Sequence, residues 1–165
     1  CCRALDSALS LLGSRRPRLC LCALNPHAGE GGLMGSEEGS ILGPARADAV
    51  RAGVRVQGPL PADAAWRMHA SGKLSGLVCM YHNQAMAPLK ALAGWRLRTA
   101  VPEGAGRSPL AGGGLELVNW TVGIPFTRVS PGHGTAFDLA GTGRADSAPT
   151  LAAAVLAARL TAGRV

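Results

Sequence analysis

The chain is poor in charge, above all in negative charge. Of its 165 residues 16% are charged, with 10 Asp+Glu against 17 Lys+Arg and a net charge of +7. A typical soluble domain carries about 25% charged residues. Aromatic residues make up only 4%, so the arginines scattered from Arg15 to Arg164 have few rings beside them on which bases could stack, and no nucleic-acid partner is expected. No apolar run approaches the roughly 18 residues of a spanning helix. The longest runs, 19–24 and 151–158, are short, so a soluble chain with no membrane partner is expected. The cysteines Cys1, Cys2, Cys20, Cys22 and Cys79 are odd in number and show no C-x-x-C spacing, against a disulfide framework or a zinc ribbon and in keeping with a reducing, cytoplasmic setting. Gly 23 and Pro 11 together stay below the roughly 25–30% at which low-complexity disorder is the default reading. The chain opens on Cys1 with nothing resembling a signal peptide, so a fragment or processed chain is expected.

What is present is a 47% apolar chain whose patterns alternate between two periods. Leu5, Ala8, Leu9, Leu11 and Leu12 recur at helical spacing, ended by Gly13 and the stretch to Pro17. Residues 19–24 read as a buried strand ending at Asn25-Pro26. A helix over 36–52 opens on Ser36, Glu37 and Glu38, an acidic first turn that suits the helix dipole, although Gly43-Pro44 lies inside it. Val54 and Val56 begin a strand that leaves at Gly58-Pro59. A helix over 62–70, a buried run over 77–81, a helix over 84–93 despite Pro88, a long Gly/Pro-rich loop over 102–114, a strand through Leu115, Leu117, Trp120 and Val122, and a last helix over 147–162 complete the order. Strands alternating with helices predict an α/β fold, layered α/β/α with a largely parallel sheet.

In such sheets ligands bind beyond the carboxyl ends of the strands, and histidines stand there. Residues 19–24 lead into Asn25-Pro26-His27-Ala28-Gly29-Glu30-Gly31-Gly32, and 77–81 lead into His82-Asn83-Gln84. Two neutral imidazoles at equivalent strand ends could share a divalent cation; the alternative is that each merely caps its strand end. His133 opens a third polar stretch, Gly132-His133-Gly134-Thr135-Ala136-Phe137-Asp138. There the small residues allow close approach to a nucleotide and the carboxylate could accept from a ribose, against the alternative of a glycine-rich turn. No G-x-G-x-x-G follows a strand, and no Walker A lysine motif is present. Lys90, Asn119 and Arg128 suit a phosphate or carboxylate, though each alone would also serve as a solvated surface residue. His69 reads as surface.

The first of these stretches, taken with Gly58-Pro59-Leu60-Pro61-Ala62-Asp63, Met80-Tyr81-His82-Asn83-Gln84, Val118-Asn119-Trp120-Thr121-Val122-Gly123-Ile124-Pro125-Phe126 and His133-Gly134-Thr135-Ala136, strongly resembles the 4-hydroxythreonine-4-phosphate dehydrogenase family of pyridoxal phosphate biosynthesis. The motifs fall in the family's order and cover nearly all of the chain, but only the family's C-terminal half. The last one also looks like the adenosine-binding loop of isocitrate and isopropylmalate dehydrogenases, whose fold the family shares.

The resemblance implies oxidation of 4-phosphooxy-L-threonine by NAD or NADP with loss of carbon dioxide, dependent on a divalent metal (Zn, Mg or Co), in a homodimer. It places His27 and His82 among the metal ligands, and Lys90, Asn119 and Arg128 at the substrate. His133, Gly134, Thr135, Ala136 and Asp138 fall at the cofactor. The third metal histidine belongs to the half not matched, and the metal site is completed across the dimer, so the isolated chain is expected to be inactive. Two departures stand out. Asn83 replaces the usual Asp, and about twenty extra residues, including an inserted loop at 102–116, separate Lys90 from Asn119, far beyond ordinary connections. Residues 1–16 match poorly, leaving 17–165 as the dehydrogenase part. A related dehydrogenase of another phosphorylated four-carbon hydroxy acid, or an inactive nucleotide-binding or dimerisation module, are the other readings.

Overall fold

A computed structural model describes residues 1–99 and 117–163, the side chains of 92–99 excepted. The chain divides into two compact units, Cys1–Pro88 and Leu89–Val165. The loop expected to be inserted at 102–116 lies outside the described residues.

The first unit is built on a parallel three-stranded sheet in the order β2 (Val56–Leu60), β1 (Leu19–Cys22), β3 (Gly76–Val78). Register pairs Leu19 with Val56 on one side and with Gly76 on the other. β1 is the middle strand, and every residue of it is buried. Successive side chains of a strand face opposite sides, so its four letters, Leu-Cys-Leu-Cys, feed two cores. Leu19 and Leu21 join Ala49, Val54, Val56 and Val78, covered by Leu5 and Leu9 of α1 (Cys2–Leu11) and by Leu42 ahead of α2 (Gly43–Arg51). Cys20 and Cys22 join Ala65 and Leu74, with Met68 of α3 (Ala62–Ala70) and Cys79. Helices on both faces of a parallel sheet give the expected α/β/α layering, and they explain why β1 reads as an unbroken apolar run rather than an alternating one. Residues 1–16, expected to carry little functional weight, contribute to this packing through α1. A Cβ on Gly76 would stand 3.0 Å from Leu9 Cδ1 and 3.2 Å from Leu5 Cδ2, so α1 lies tight against β3.

The helix expected over 36–52 is present but changes pitch within its length. A wider, π-type turn over Glu38–Leu42 runs directly into α2, with helical backbone at Glu37, Leu42 and Gly43 and with Pro44 in the first turn of α2. α4 runs His82–Thr99 with Pro88 inside it, longer than the 84–93 expected. Half-buried His69 corrects its surface reading: its Nδ1 lies 3.0 Å from the Leu74 carbonyl and its ring meets Trp66 edge-on at 5.7 Å.

The second unit contains an antiparallel pair, β4 (Val118–Thr121) with β5 (Arg128–Pro131), and the closing helix α5 (Ala148–Thr161), which packs on both strands. β5 has no counterpart among the elements expected from sequence. Pairing sets Asn119 opposite Ser130 and Thr121 opposite Arg128, so these four polar residues share one face of the ribbon, and Val118, Trp120, Val129 and Pro131 share the other.

Candidate functional site

β1 and β3 are parallel neighbours, so the segments leaving their carboxyl ends emerge along one edge of the sheet. That edge carries His27 after β1 and His82 at the start of α4. Both are exposed.

The edge is held by two buried polar side chains that sequence reasoning does not single out. Gln84 is 8% exposed; its Nε2 donates to the Ala23 carbonyl at 2.7 Å, and its Oε1 accepts from the Met80 N–H at 2.8 Å. One amide thereby ties the end of β1 to the end of β3. Trp66 Nε1 donates to the Gln84 carbonyl at 2.8 Å and fixes the first turn of α4 against α3. Glu38, also 8% exposed, accepts the Asn25 N–H at 2.8 Å through Oε1, while its Oε2 has no hydrogen-bond partner among the described residues. The acidic first turn read at Ser36, Glu37 and Glu38 is therefore, at Glu38, an inward carboxylate supporting the His27 loop.

Asn25 passes that support on. Its Oδ1 accepts from the His27 N–H at 2.8 Å and its Nδ2 donates to the Met34 carbonyl at 3.0 Å, a side-chain turn that replaces the ladder bonds lost where the strand ends. Left-handed backbone then follows at Ala28 (φ 54), Gly29 (φ 77), Glu30 (φ 43), Gly31 (φ 68) and Gly32 (φ 102). Glycine adopts this readily; at Ala28 and Glu30 it is strained, the kind of local cost that clusters at functional loops. His27 Nδ1 lies 3.3 Å from Glu30 Oε1, both side chains exposed.

Neutral imidazole donors suit zinc or cobalt better than the oxygen-preferring magnesium. Among the described residues no group of three His, Cys, Asp or Glu side chains is placed to hold an ion. His27 and His82 thus share one edge of the sheet without a third such side chain grouped with them among the described residues. Asn83, where a carboxylate was expected from the resemblance, is exposed beside His82.

In the second unit, Lys90 is exposed on α4. Asn119 and Arg128, both exposed, stand on the polar face of the β4–β5 ribbon. Arg128 Nη1 donates to Thr121 Oγ1 at 2.9 Å, and Asn119 Nδ2 donates to the Pro131 carbonyl at 3.3 Å, so an amide and a guanidinium are presented on one face with donors to spare. Gly132, at the exit of β5, donates its N–H to the Leu117 carbonyl at 2.7 Å, and a Cβ there would collide with Leu117. The stretch beyond is open: His133, Gly134, Thr135, Ala136 and Asp138 are all exposed, His133 Nδ1 sits 2.8 Å from the Gly134 carbonyl, and Ala136 (φ 46) leads into a 3₁₀ turn over Phe137–Leu139 that carries Asp138.

Helices on both faces of a parallel sheet, with polar loops at the strand ends, define a protein of the layered α/β class. Residues 1–157 match the family described as pyridoxal phosphate biosynthetic protein PdxA, and the chain belongs to that family. It is 41% identical over 155 residues to the 4-hydroxythreonine-4-phosphate dehydrogenase of Bradyrhizobium diazoefficiens, covering 94% of this chain and 39% of that one. The crystal structure of the enzyme of that name from Klebsiella pneumoniae superposes with a TM-score of 0.71 at 38% identity, covering 94% of this chain and 41% of that one. A terephthalate 1,2-cis-dihydrodiol dehydrogenase from Burkholderia xenovorans LB400 superposes with a TM-score of 0.62 at 34% identity, over 94% of this chain and 43% of that one. The chain spans about two fifths of the length of these relatives. Among the described residues no helix is long and apolar enough to cross a membrane.

Proposed function

We propose that the chain provides the C-terminal part of an NAD- or NADP-dependent, divalent-metal-requiring dehydrogenase that oxidises and decarboxylates 4-phosphooxy-L-threonine in pyridoxal phosphate biosynthesis. The supporting observation is the Gln84 tie, which holds together the two strand ends bearing His27 and His82. When bound, a divalent cation lends Lewis acidity toward an alcohol oxygen and the nicotinamide accepts hydride.

The chain's own residues bind and orient. His27 and His82 offer imidazole nitrogens. Glu30, beside His27 Nδ1, holds that ring so that Nε2 is the free donor, the usual manner in which an outer carboxylate sets a ligand's orientation. Arg128 provides a two-pronged cation for phosphate or carboxylate, Lys90 a point charge, and Asn119 a directional amide. None of these moves a proton; their contribution is positioning. Ala136 and its neighbours, from His133 to Asp138, form the open loop on which the adenosine half of the cofactor would rest, with the Asp138 carboxylate accepting from the ribose.

The deciding experiment joins the chain to the N-terminal part of a relative, forming the homodimer the family resemblance implies, and follows NADH formation from 4-phosphooxy-L-threonine. Turnover that stops in excess chelator and is absent in His82→Ala is expected; full turnover with chelator present overturns the proposal. The likeness to the dihydrodiol dehydrogenase favours a second reading, a dehydrogenase of the same build acting on another hydroxylated acid, and a panel of such substrates in the same assay separates the two.

A further inference from the structure

Cys22 and Cys79 form a pair that the proposed reaction does not use. Extending the β1–β3 register by one step beyond Leu21–Val78 sets Cys22 beside Cys79, and their sulfurs are 3.9 Å apart. Neighbouring parallel strands lie about 4.8 Å apart, within the Cα separations that a disulfide spans. The two thiols are unlike. Cys22 is fully buried, whereas Cys79 is only half-buried, at the point where β3 gives way to the His82 segment. The hydrogen bond between them, together with burial, pushes the Cys22 thiol up, and acceptance of that bond pulls Cys79 down. Cys79, the more exposed of the two, is the sulfur readier to become thiolate, the nucleophilic form. Cys20, which is fully buried, is pushed up to about 11.

We propose that Cys22 and Cys79 are a peroxide-oxidisable dithiol, with Cys79 the attacking and Cys22 the resolving sulfur. Cys79 Sγ attacks one oxygen of a peroxide, the O–O bond breaks, and hydroxide leaves, giving a sulfenic acid. Cys22 Sγ then displaces the hydroxyl from Cys79 sulfur, forming the S–S bond and releasing water, its thiol proton neutralising the hydroxide. The pair of thiols loses two electrons and the peroxide gains them, so one peroxide yields one disulfide and two waters. The bond would lock the same two strand ends that Gln84 ties, three residues before Asn25 and three before His82. Both sulfurs lie in the first unit, so the dithiol stands or falls independently of the proposed reaction.

The test treats the reduced full chain with equimolar hydrogen peroxide, digests it with trypsin without reductant, and maps the peptides by mass spectrometry. Expected is a loss of two hydrogens, with peptides 19–46 and 74–90 linked at Cys22 and Cys79 and released by dithiothreitol. Linkage at Cys20 or through Cys1 or Cys2, no linkage at all, or Cys79 driven directly to sulfinic acid overturns it. In Cys22→Ala, or Cys22→Ser should the former fail to fold, the Cys79 sulfenic acid should persist and be trapped by dimedone. Absence of that adduct from the folded variant also overturns the proposal.

Discussion

Removing the Glu38 carboxylate leaves the Asn25 amide without its acceptor at a site closed to water. Glu38→Ala should cost about 1–3 kcal/mol in urea unfolding, the usual penalty for an orphaned buried donor, whereas Glu38→Gln keeps an acceptor oxygen and should lose less. Gln84→Ala orphans both the Ala23 carbonyl and the Met80 N–H, each at about 1–3 kcal/mol, and should weaken cobalt binding monitored by its visible absorption more than Asn83→Ala does. Burial of Cys20 also shows in pH dependence. Its thiol is raised from 9.0 to about 11, so the unfolded chain releases that proton first as pH rises. Stability contributed by Cys20 is therefore complete below pH 9 and falls between 9 and about 11; Cys20→Ala should unfold with a shallower loss over that window, read by urea midpoints at successive pH values. The strand-end positions of His27 and His82 were legible because each follows an apolar run at a polar break. Glu38 and Gln84 were not, because a polar letter in sequence carries no sign of whether tertiary packing will bury it.

Among elements, the pairing of β1 with β2 depends on Gly58. Its φ is 104, and a Cβ there would run into the Leu21 carbonyl, so Gly58→Ala must both strain the backbone and push the strands apart. A loss of about 1–3 kcal/mol is expected, as for other overpacked interiors, together with faster amide exchange at Leu19 and Ala23, whose N–H groups bond to the Arg55 and Leu60 carbonyls. In the parallel sheet β1 and β3 were readable from apolar runs, and β2 from Val54 and Val56 ahead of Gly58-Pro59. β5 was not, since Arg128-Val129-Ser130-Pro131 is short, half polar and ends in proline; only its register with β4 reveals an alternating strand. The change of pitch ahead of α2 was signalled by Gly43-Pro44, yet the chain stays helical on both sides of that pair, because the wider turn over Glu38–Leu42 leaves Pro44 in the first turn of α2.

At the scale of the whole molecule, a chain that spans about two fifths of its relatives carries the two histidines without a third partner among the described residues. Cobalt should therefore bind the chain alone weakly and bind the chain joined to a relative's N-terminal part at least about tenfold more tightly, about 1.4 kcal/mol, measured by calorimetry; equal affinities would contradict a shared site. Family and layering were legible from motif order, whereas the division into units at Pro88 and Leu89 depends on how the chain packs and has no signature in composition. The placement of β1 has a consequence for how such a sequence can vary. Because its four residues serve two interiors and adjoin strands on either side, a substitution there must satisfy two sets of neighbours at once. In a library covering every position, survivors should be rarest at 19–22 and commonest along the outer side of α5.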